Sequence, residues 1–385
     1  MRSARAPEPA RGHGPGAPRA GASEPRSALL DHPAPPPPTR PTVSVVVPVR
    51  DEAAGLRTLV ADVLAQDYAE LAEIWFVDGG SRDGTREALA ELAARDARVR
   101  VLSNERRGTA AGLNMALRRA TGDVVMRMDA HARYRADVVR VCVEALLRTG
   151  AGGVGAIARP RASAPTRVAR AIVAAHLSPL GIGVAKFRRE AAEGWAATVW
   201  NGCYWRFVVD RVGAMREDLP RNEDNDFNAR VRALGYGLWV TPAAHAYYHP
   251  RGTLKGLWRQ YRGNGEGIAV TLFENPAAVG PHHLAPLALV GALLVLALLA
   301  AAWGPAGPAL AALLAAYGAL LAAAVILAAR RRPGPHLLAL PAALATLHLA
   351  YGVGTLEGLV RLGLARARRF LPWRGVADPR AEEGR

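Results

Sequence analysis

The chain has 385 residues, half of them hydrophobic, enough for more than one domain and a sizeable buried core. Its net charge of +16 rests almost wholly on arginine, Lys186 and Lys255 being the only lysines; such a chain points to nucleic acid, an anionic membrane or phosphorylated ligands. The arginines are dispersed or flank apolar stretches, with no helix-turn-helix or finger pattern, which argues against nucleic acid. The two cysteines, Cys142 and Cys203, form no CxxC pair, which argues against a disulfide framework or a zinc site.

Residues 1–40 are rich in Pro, Ala, Gly and Arg and end in Pro35 to Pro38. Such a stretch cannot bury enough apolar surface to offset its ordering entropy, and is expected to be a disordered basic tail. It lacks the apolar core of a signal peptide.

From residue 41 to 253 the pattern is that of a folded domain. Residues 42–48 (TVSVVVP) are nearly all apolar and β-branched, as expected of a central parallel strand. Asp51 and Glu52 follow at its carboxyl end. A helix is predicted over 53–64 and a second strand over 74–77, which ends at Asp78 and the run DGGSRDGT. In that run Ser81, Asp83 or Thr85 can cap the helix to residue 94. A third strand over 99–102 and a helix over 108–120 precede the apolar run 122–125. That run delivers Asp129 to another strand end.

Alternation at this spacing predicts an α/β fold with a doubly wound parallel sheet, whose ligands bind outside the carboxyl ends of the strands. Asp51, Asp78 and Asp129 each close a strand, more acid along one edge than chance surface charge supplies. Asp129 and His131 are two residues apart, and a carboxylate with an imidazole suits a divalent cation that shares its ligands with a diphosphate. The competing reading is that Asp129 caps the helix predicted over 135–147. There is no Walker loop and no GxGxxG after a strand; Gly152 to Gly155 reads as a packed, Gly-rich strand.

Residues 151–221 are less regular, with a loop expected over 178–183. Trp195, Trp200, Tyr204 and Trp205 gather around Asn201 and Gly202, where two readings stand: a platform for a sugar, or core packing. Arg221-Asn222-Glu223-Asp224-Asn225-Asp226 precedes a helix predicted over 227–234. A carboxylate at a helix N-terminus is stabilised in its ionised form, by about 0.3–1 kcal/mol, and an ionised, oriented carboxylate is what a general base requires. One of Asn222, Asp224 and Asn225 is expected to cap.

Residues 254–280 mix aromatics with Lys255, Arg259 and Arg262, as in a helix at a membrane interface. Residues 284–303 and 309–329 are uncharged and long enough to cross a bilayer. Residues 337–356 are a weaker third candidate within a transmembrane region of 281–372, before a polar tail over 373–385. Arginine clusters follow the second and third segments, and both favour the cytoplasmic side. Two full spans with the third segment re-entrant or interfacial satisfy both and leave the folded domain in the cytoplasm.

Four stretches in order carry a resemblance: SVVVPVRDEA, VDGGSRDGT, MDAHARY and NEDNDFNARVRALGYG. Across residues 42–265 they resemble the family 2 inverting glycosyltransferases of GT-A fold. With VWNGCYWR, QYRGNG and the apolar segments they are most similar to the transferases of succinoglycan biosynthesis within that family. The resemblance implies a multi-pass enzyme of the bacterial inner membrane. It would move a sugar from a UDP-sugar to a lipid-linked (polyprenyl-diphosphate) saccharide, working beside other polysaccharide-assembly proteins, with no nucleic acid. It also implies roles for residues. Asp51, with Glu52 near it, and Asp78 would hold uracil and ribose, and Asp129 would bind Mg²⁺ or Mn²⁺. Asp224 would be the base, with Glu223 beside it. Arg259 and Arg262 sit where processive relatives carry Gln-x-x-Arg-Trp; Arg-Gln-Tyr-Arg-Gly here favours transfer of one sugar. His131 stands in place of the last Asp of DxD. Two alternatives are weighed: an inactive membrane scaffold of this fold, and a nucleotidyltransferase. The latter is disfavoured by Arg50-Asp51-Glu52 where it needs a Gly-rich basic loop.

Overall fold

A computed structural model of the chain describes residues 36–182, 185–219 and 221–370, without the side chains of 365–370. Residues 1–35 of the tail expected over 1–40, and the tail expected over 373–385, lie outside the described residues.

Strand β1 (Val43–Val49) is buried on both faces, which is why its sequence does not alternate. It pairs in parallel with β2 (Leu71–Asp78) and β4 (Val124–Arg127), and β3 (Val99–Ser103) extends the sheet beyond β2. Helices α1 (Ala53–Leu64), α2 (Thr85–Ala93) and α3 (Thr109–Leu117) are the crossovers. The parallel half therefore follows the predicted alternation. Residues 118–120 were expected in α3 and form only a frayed turn, Ala120 still bonding the carbonyl of Ala116 at 2.8 Å.

The sheet does not stay parallel. β8 (Cys203–Trp205) runs antiparallel to both β4 and β6 (Gly153–Pro160). Beyond β6 come β9 (Leu238–Tyr248) and β5 (Ala132–Tyr134), with β7 (Gly194–Trp195) also on β9. The result is a mixed, mostly parallel sheet. The short strands β5, β7 and β8 were not anticipated, being two or three residues long and below the length at which periodicity speaks. Helix α4 (Val138–Thr149) follows β5, and α5 (Arg167–Leu177) and α6 (Arg206–Val212) follow β6 and β8.

Helix α7 (Glu223–Ala233) begins earlier than its predicted start at 227, so the acidic cluster is its first turn rather than its approach. Asn222 occupies the N-cap in a left-handed conformation, φ 67°, and no side chain caps the helix. Asp226 is buried, accepting from Arg230 at 2.9 Å and Asn275 at 2.8 Å.

Helix α8 (Leu254–Glu274) is followed by α9 (Pro281–Ala302), α10 (Gly307–Arg331) and α11 (Leu340–Phe370). The helix of the segment expected at a membrane interface is docked along α11. The two backbones touch where one of them lacks a side chain: a Cβ at Gly265 would collide with the carbonyl oxygen of Tyr351, and one at Gly354 with that of Arg262. Ion pairs Arg262–Glu357 (2.6 Å) and Arg361–Glu266 (3.6 Å) close the same contact.

Among the described residues three helical stretches are long and apolar enough to cross a membrane: Pro281–Ala302, Gly304–Arg331 and Pro335–Leu364. The first two leave Leu294, Leu298 and Leu314 bare, as is Trp303 between them. The third differs, with 39% of its apolar window buried against 6% in each of the others. Its Leu340, Ala343, Leu344 and Leu347 pack with Ile172 and Ala175 of α5 and Leu257 of α8. Arg332, just past α10, pairs with Glu190 of the sheet domain at 3.5 Å.

Candidate active site

A cavity of about 1070 Å³ opens at the carboxyl edge of the sheet and runs to the apolar helices. Its wall takes Glu52 after β1, Arg127 and Asp129 from β4, His131, the segment 197–202, and Glu223 and Asp224 of α7. Gln260, Tyr261 and Asn264 of α8 continue it to His282, His283 and Pro286 of α9 and Leu347 and Tyr351 of α11.

Asp129 is almost fully buried, and its two carboxylate oxygens are divided. Oδ1 accepts from Arg127 Nε at 2.8 Å, and Oδ2 from the indole N–H of Trp200 at 3.1 Å. Burial alone would push this carboxyl up; Arg127, His131 and the two hydrogen bonds outweigh it and hold it below the usual carboxylate range. Arg127 also reaches Glu223 Oε1 at 3.1 Å, so one guanidinium joins the strand-end carboxylate to the first turn of α7.

Asp224 behaves oppositely. Burial and the neighbouring Glu223 push its carboxyl up to about 6, against Arg127, which draws it down. Its Oδ1 accepts from the N–H of Asn225 at 2.8 Å. Two carboxylates near one cavity thus have environments that drive them apart, the pattern by which acid–base roles are divided. Glu52 is raised too, by burial, with His131 and Arg251 opposing.

His131 is exposed to the cavity, and His249 lines it too. β5 and β9 pair with Ala132 opposite Tyr248, so His131 and His249 each flank the last pair of that ladder. Among the described residues no three His, Cys, Asp or Glu side chains converge into a cation cage. The donor set that is present, a carboxylate with spare lone pairs and imidazoles on a cavity wall, fits a cation completed by substrate phosphates and water.

The remaining sequence-predicted residues divide. Asp51 and Asp78 end neighbouring strands, yet neither lines this cavity: Asp51 accepts from Arg82 N–H at 2.9 Å and Asp78 from Ser81 N–H at 3.1 Å, folding the 79–85 loop. Asp51 holds φ 52°, a strained value for a non-glycine residue. Arg259 and Arg262, expected to reach the nucleotide, do not reach the cavity. They lie on the other side of α8, where Arg262 is turned to Glu357. The aromatic group splits as well. Trp200 faces Asp129, Tyr204 and Trp205 are core, and Trp195 is exposed, edge-on to Trp239 at 5.1 Å.

Arg127 and His249 were missed as functional candidates, and Trp200 was weighed only as part of a sugar platform or of the core. For Arg127 a signal existed: residues 127 and 129 share one face of an extended chain. For His249 there was none, because it comes to the cavity from the far end of β9.

The Glycosyl transferase family 2 model matches residues 44–207. The chain is 34% identical to the succinoglycan biosynthesis protein ExoA of Rhizobium meliloti (strain 1021) over 258 residues, 66% of this chain and 78% of that protein. It is 34% identical over 127 residues to the undecaprenyl-phosphate 4-deoxy-4-formamido-L-arabinose transferase of Aeromonas hydrophila, 31% of this chain and 37% of that one. Among solved structures it resembles the mannosyltransferase PcManGT of Pyrobaculum calidifontis in complex with GDP-Man and Mn²⁺. The TM-score is 0.58 at 25% identity, over 87% of this chain and 92% of that one.

Proposed function

Because the chain belongs to glycosyl transferase family 2, we propose that it is a membrane-bound inverting transferase of polysaccharide biosynthesis. It moves one sugar from a UDP-sugar to a saccharide carried on a polyprenyl diphosphate. The observation that carries this is the single cavity whose wall runs from Asp129 and Asp224 to His282, His283, Leu347 and Tyr351 of the apolar helices. An acceptor anchored in lipid reaches a base at a sheet edge only through such a passage. Holding both in one membrane also raises the acceptor's effective concentration. Relatives named for succinoglycan biosynthesis and for an undecaprenyl-phosphate substrate support the same class.

In this reading Asp224 takes the proton of the acceptor hydroxyl as that oxygen attacks the anomeric carbon. The bond from that carbon to the diphosphate breaks, and the nucleoside diphosphate leaves with the electron pair, inverting the configuration. Glu223 and Arg127 orient the site, and Asp129 and His131 would hold a divalent cation, Mg²⁺ or Mn²⁺. When bound, such a cation would supply Lewis-acid neutralisation of charge on the departing diphosphate. Asp51 and Asp78, with Glu52 nearby, bound the nucleoside end. Arg259 and Arg262 have no part in it.

Membranes containing the protein, given labelled UDP-glucose, UDP-galactose or UDP-N-acetylglucosamine with Mn²⁺ or Mg²⁺ and lipid extract, are expected to yield EDTA-sensitive label in a lipid-extractable product. Donor binding without any turnover, whatever the donor and extract, would instead favour a scaffold.

The Arg332–Glu190 pair supports a hairpin of α9 and α10 that returns to the side of the sheet domain, with α11 lying against that domain. Both arginine clusters then face the cytoplasm of a bacterial inner membrane. Since Cys142 and Cys203 are both buried, a cysteine introduced within residues 303–306 should be the one labelled by an impermeant maleimide in intact cells. Labelling only after permeabilisation would reverse the topology.

A further inference from the structure

The sheet does not itself hold Asp129. Arg127 is the last β4 residue in register with β1, and the N–H of Met128 makes the last bond across, to the carbonyl of Val46 at 2.9 Å. Asp129 stands beyond that ladder, and its N–H finds its acceptor elsewhere. The buried hydroxyl of Tyr134, in β5, accepts this N–H at 2.6 Å and donates to the carbonyl of the same residue at 3.1 Å.

A phenol has one proton and two lone pairs. With the proton directed to the Asp129 carbonyl, the second lone pair needs a donor. Nδ2 of Asn201 fills that place at 2.8 Å, and Asn201 is only 2% exposed. The residues on either side of Asn201 grip the same strand end. The indole N–H of Trp200 donates to Asp129 Oδ2 at 3.1 Å, and the carbonyl of Gly202 accepts the N–H of Arg127 at 3.0 Å. Three successive residues thus hold 127–129: one at the carboxylate, one through Tyr134 and one at the backbone.

This grip requires an unusual turn. Asn201 holds φ 48°, and a Cβ at Gly202 would collide with the ring of Tyr204. A non-glycine residue in the left-handed region persists where its surroundings over-determine it, and such strain gathers at functional sites.

We propose that Tyr134, Asn201 and Trp200 are positioning residues, a clamp that fixes the carboxylate of Asp129 for its cation. Partners of this kind orient a ligand, and removing one weakens cation affinity by about 10- to 100-fold. The aromatic stretch around Asn201 then has a role apart from both a sugar platform and plain packing. The clamp rests on the reading of Asp129 as a cation ligand given above, and it adds what holds that ligand still.

The test uses the full chain in neutral detergent. UDP affinity is measured without cation and at stepped Mn²⁺ concentrations, and the Mn²⁺ concentration that gives half of the gain is read. Asp129→Ala, which should lose the gain, is the control. Tyr134→Phe removes only the hydroxyl and should raise the half-maximal Mn²⁺ concentration at least about tenfold, with cation-free UDP affinity unchanged. Asn201→Gly keeps the left-handed turn without the amide, and Trp200→Phe keeps a ring without the indole N–H. Both should shift in the same direction by less, and Asn201→Gly decides if Tyr134→Phe does not fold. An unmoved half-maximal Mn²⁺ concentration in Tyr134→Phe and Asn201→Gly, with the gain lost in Asp129→Ala, overturns the clamp and leaves Asp129 as the ligand. An equal loss of cation-free UDP affinity overturns it too, because the segment then serves the nucleotide. A gain equal in parent and Asp129→Ala, or absent from the parent, removes the cation reading of Asp129 and the clamp with it. Should the parent transfer no sugar while the selective Mn²⁺ shifts stand, the transferase reading fails and the clamp survives.

Discussion

Asp224→Asn should reduce sugar transfer by about 100- to 10,000-fold, the range a general base contributes, while UDP binding stays within a factor of two. The substitution keeps shape, and an amide oxygen can still accept the Asn225 N–H. What it removes is a group that can take a proton. The same residue fixes the pH dependence. A base works ionised, and the Asp224 carboxyl is pushed up to about 6 by burial and then by Glu223. The kcat/KM of the parent, which reports the free enzyme, should therefore be level above pH 7 and fall about tenfold per unit well below 6. An acid limb near pH 4, or a variant with parental turnover, would move the base elsewhere, with Glu223 the next carboxylate on the wall.

The environment that gives Asp224 this property was not legible in the sequence. NEDNDFN marked the residue, yet placed it before a helix rather than inside the first turn, because an uncapped start with Asn222 in the left-handed region leaves no capping signal. The parallel half of the sheet was legible strand by strand, since long β-branched runs such as 42–48 have one physical explanation. The antiparallel half was not: β5, β7 and β8 are held by their partners rather than by their own pattern. Site residues followed the same rule. Asp129 was readable from the strand that ends before it, whereas His249 reaches the cavity from the far end of β9, distant in the chain. Arg259 and Arg262 misled for the converse reason. Their spacing imitated a known sequence, but α11 captures Arg262 through Glu357, on the side of α8 away from the cavity.

Arg127→Gln should cost more than any other substitution outside the base itself. The guanidinium is the common partner of Asp129 and Glu223, and its side chain is only 18% exposed. Removing one member of a buried charge cluster leaves the others uncompensated, at a cost of about 3–5 kcal/mol, so the melting temperature should fall clearly below the parent's. The kinetic loss should be about 100-fold or more, because Asp129 and the first turn of α7 lose the bridge that sets their relative position, and a 1 Å misplacement is enough for such a loss. Packing damage alone would produce those two effects, so the pH profile is the deciding measurement. Arg127 draws the Asp224 carboxyl down against burial, with Glu223 and Asp129 pushing up. Loss of that positive charge must raise it further, and the acid limb of kcat/KM should move upward from about 6 toward neutrality. Arg127→Lys restores the charge without the fork that holds two carboxylates at once. It should return the limb most of the way while recovering only part of the rate. A limb that stays in place in both variants would mean that Arg127 holds the fold together without tuning the base.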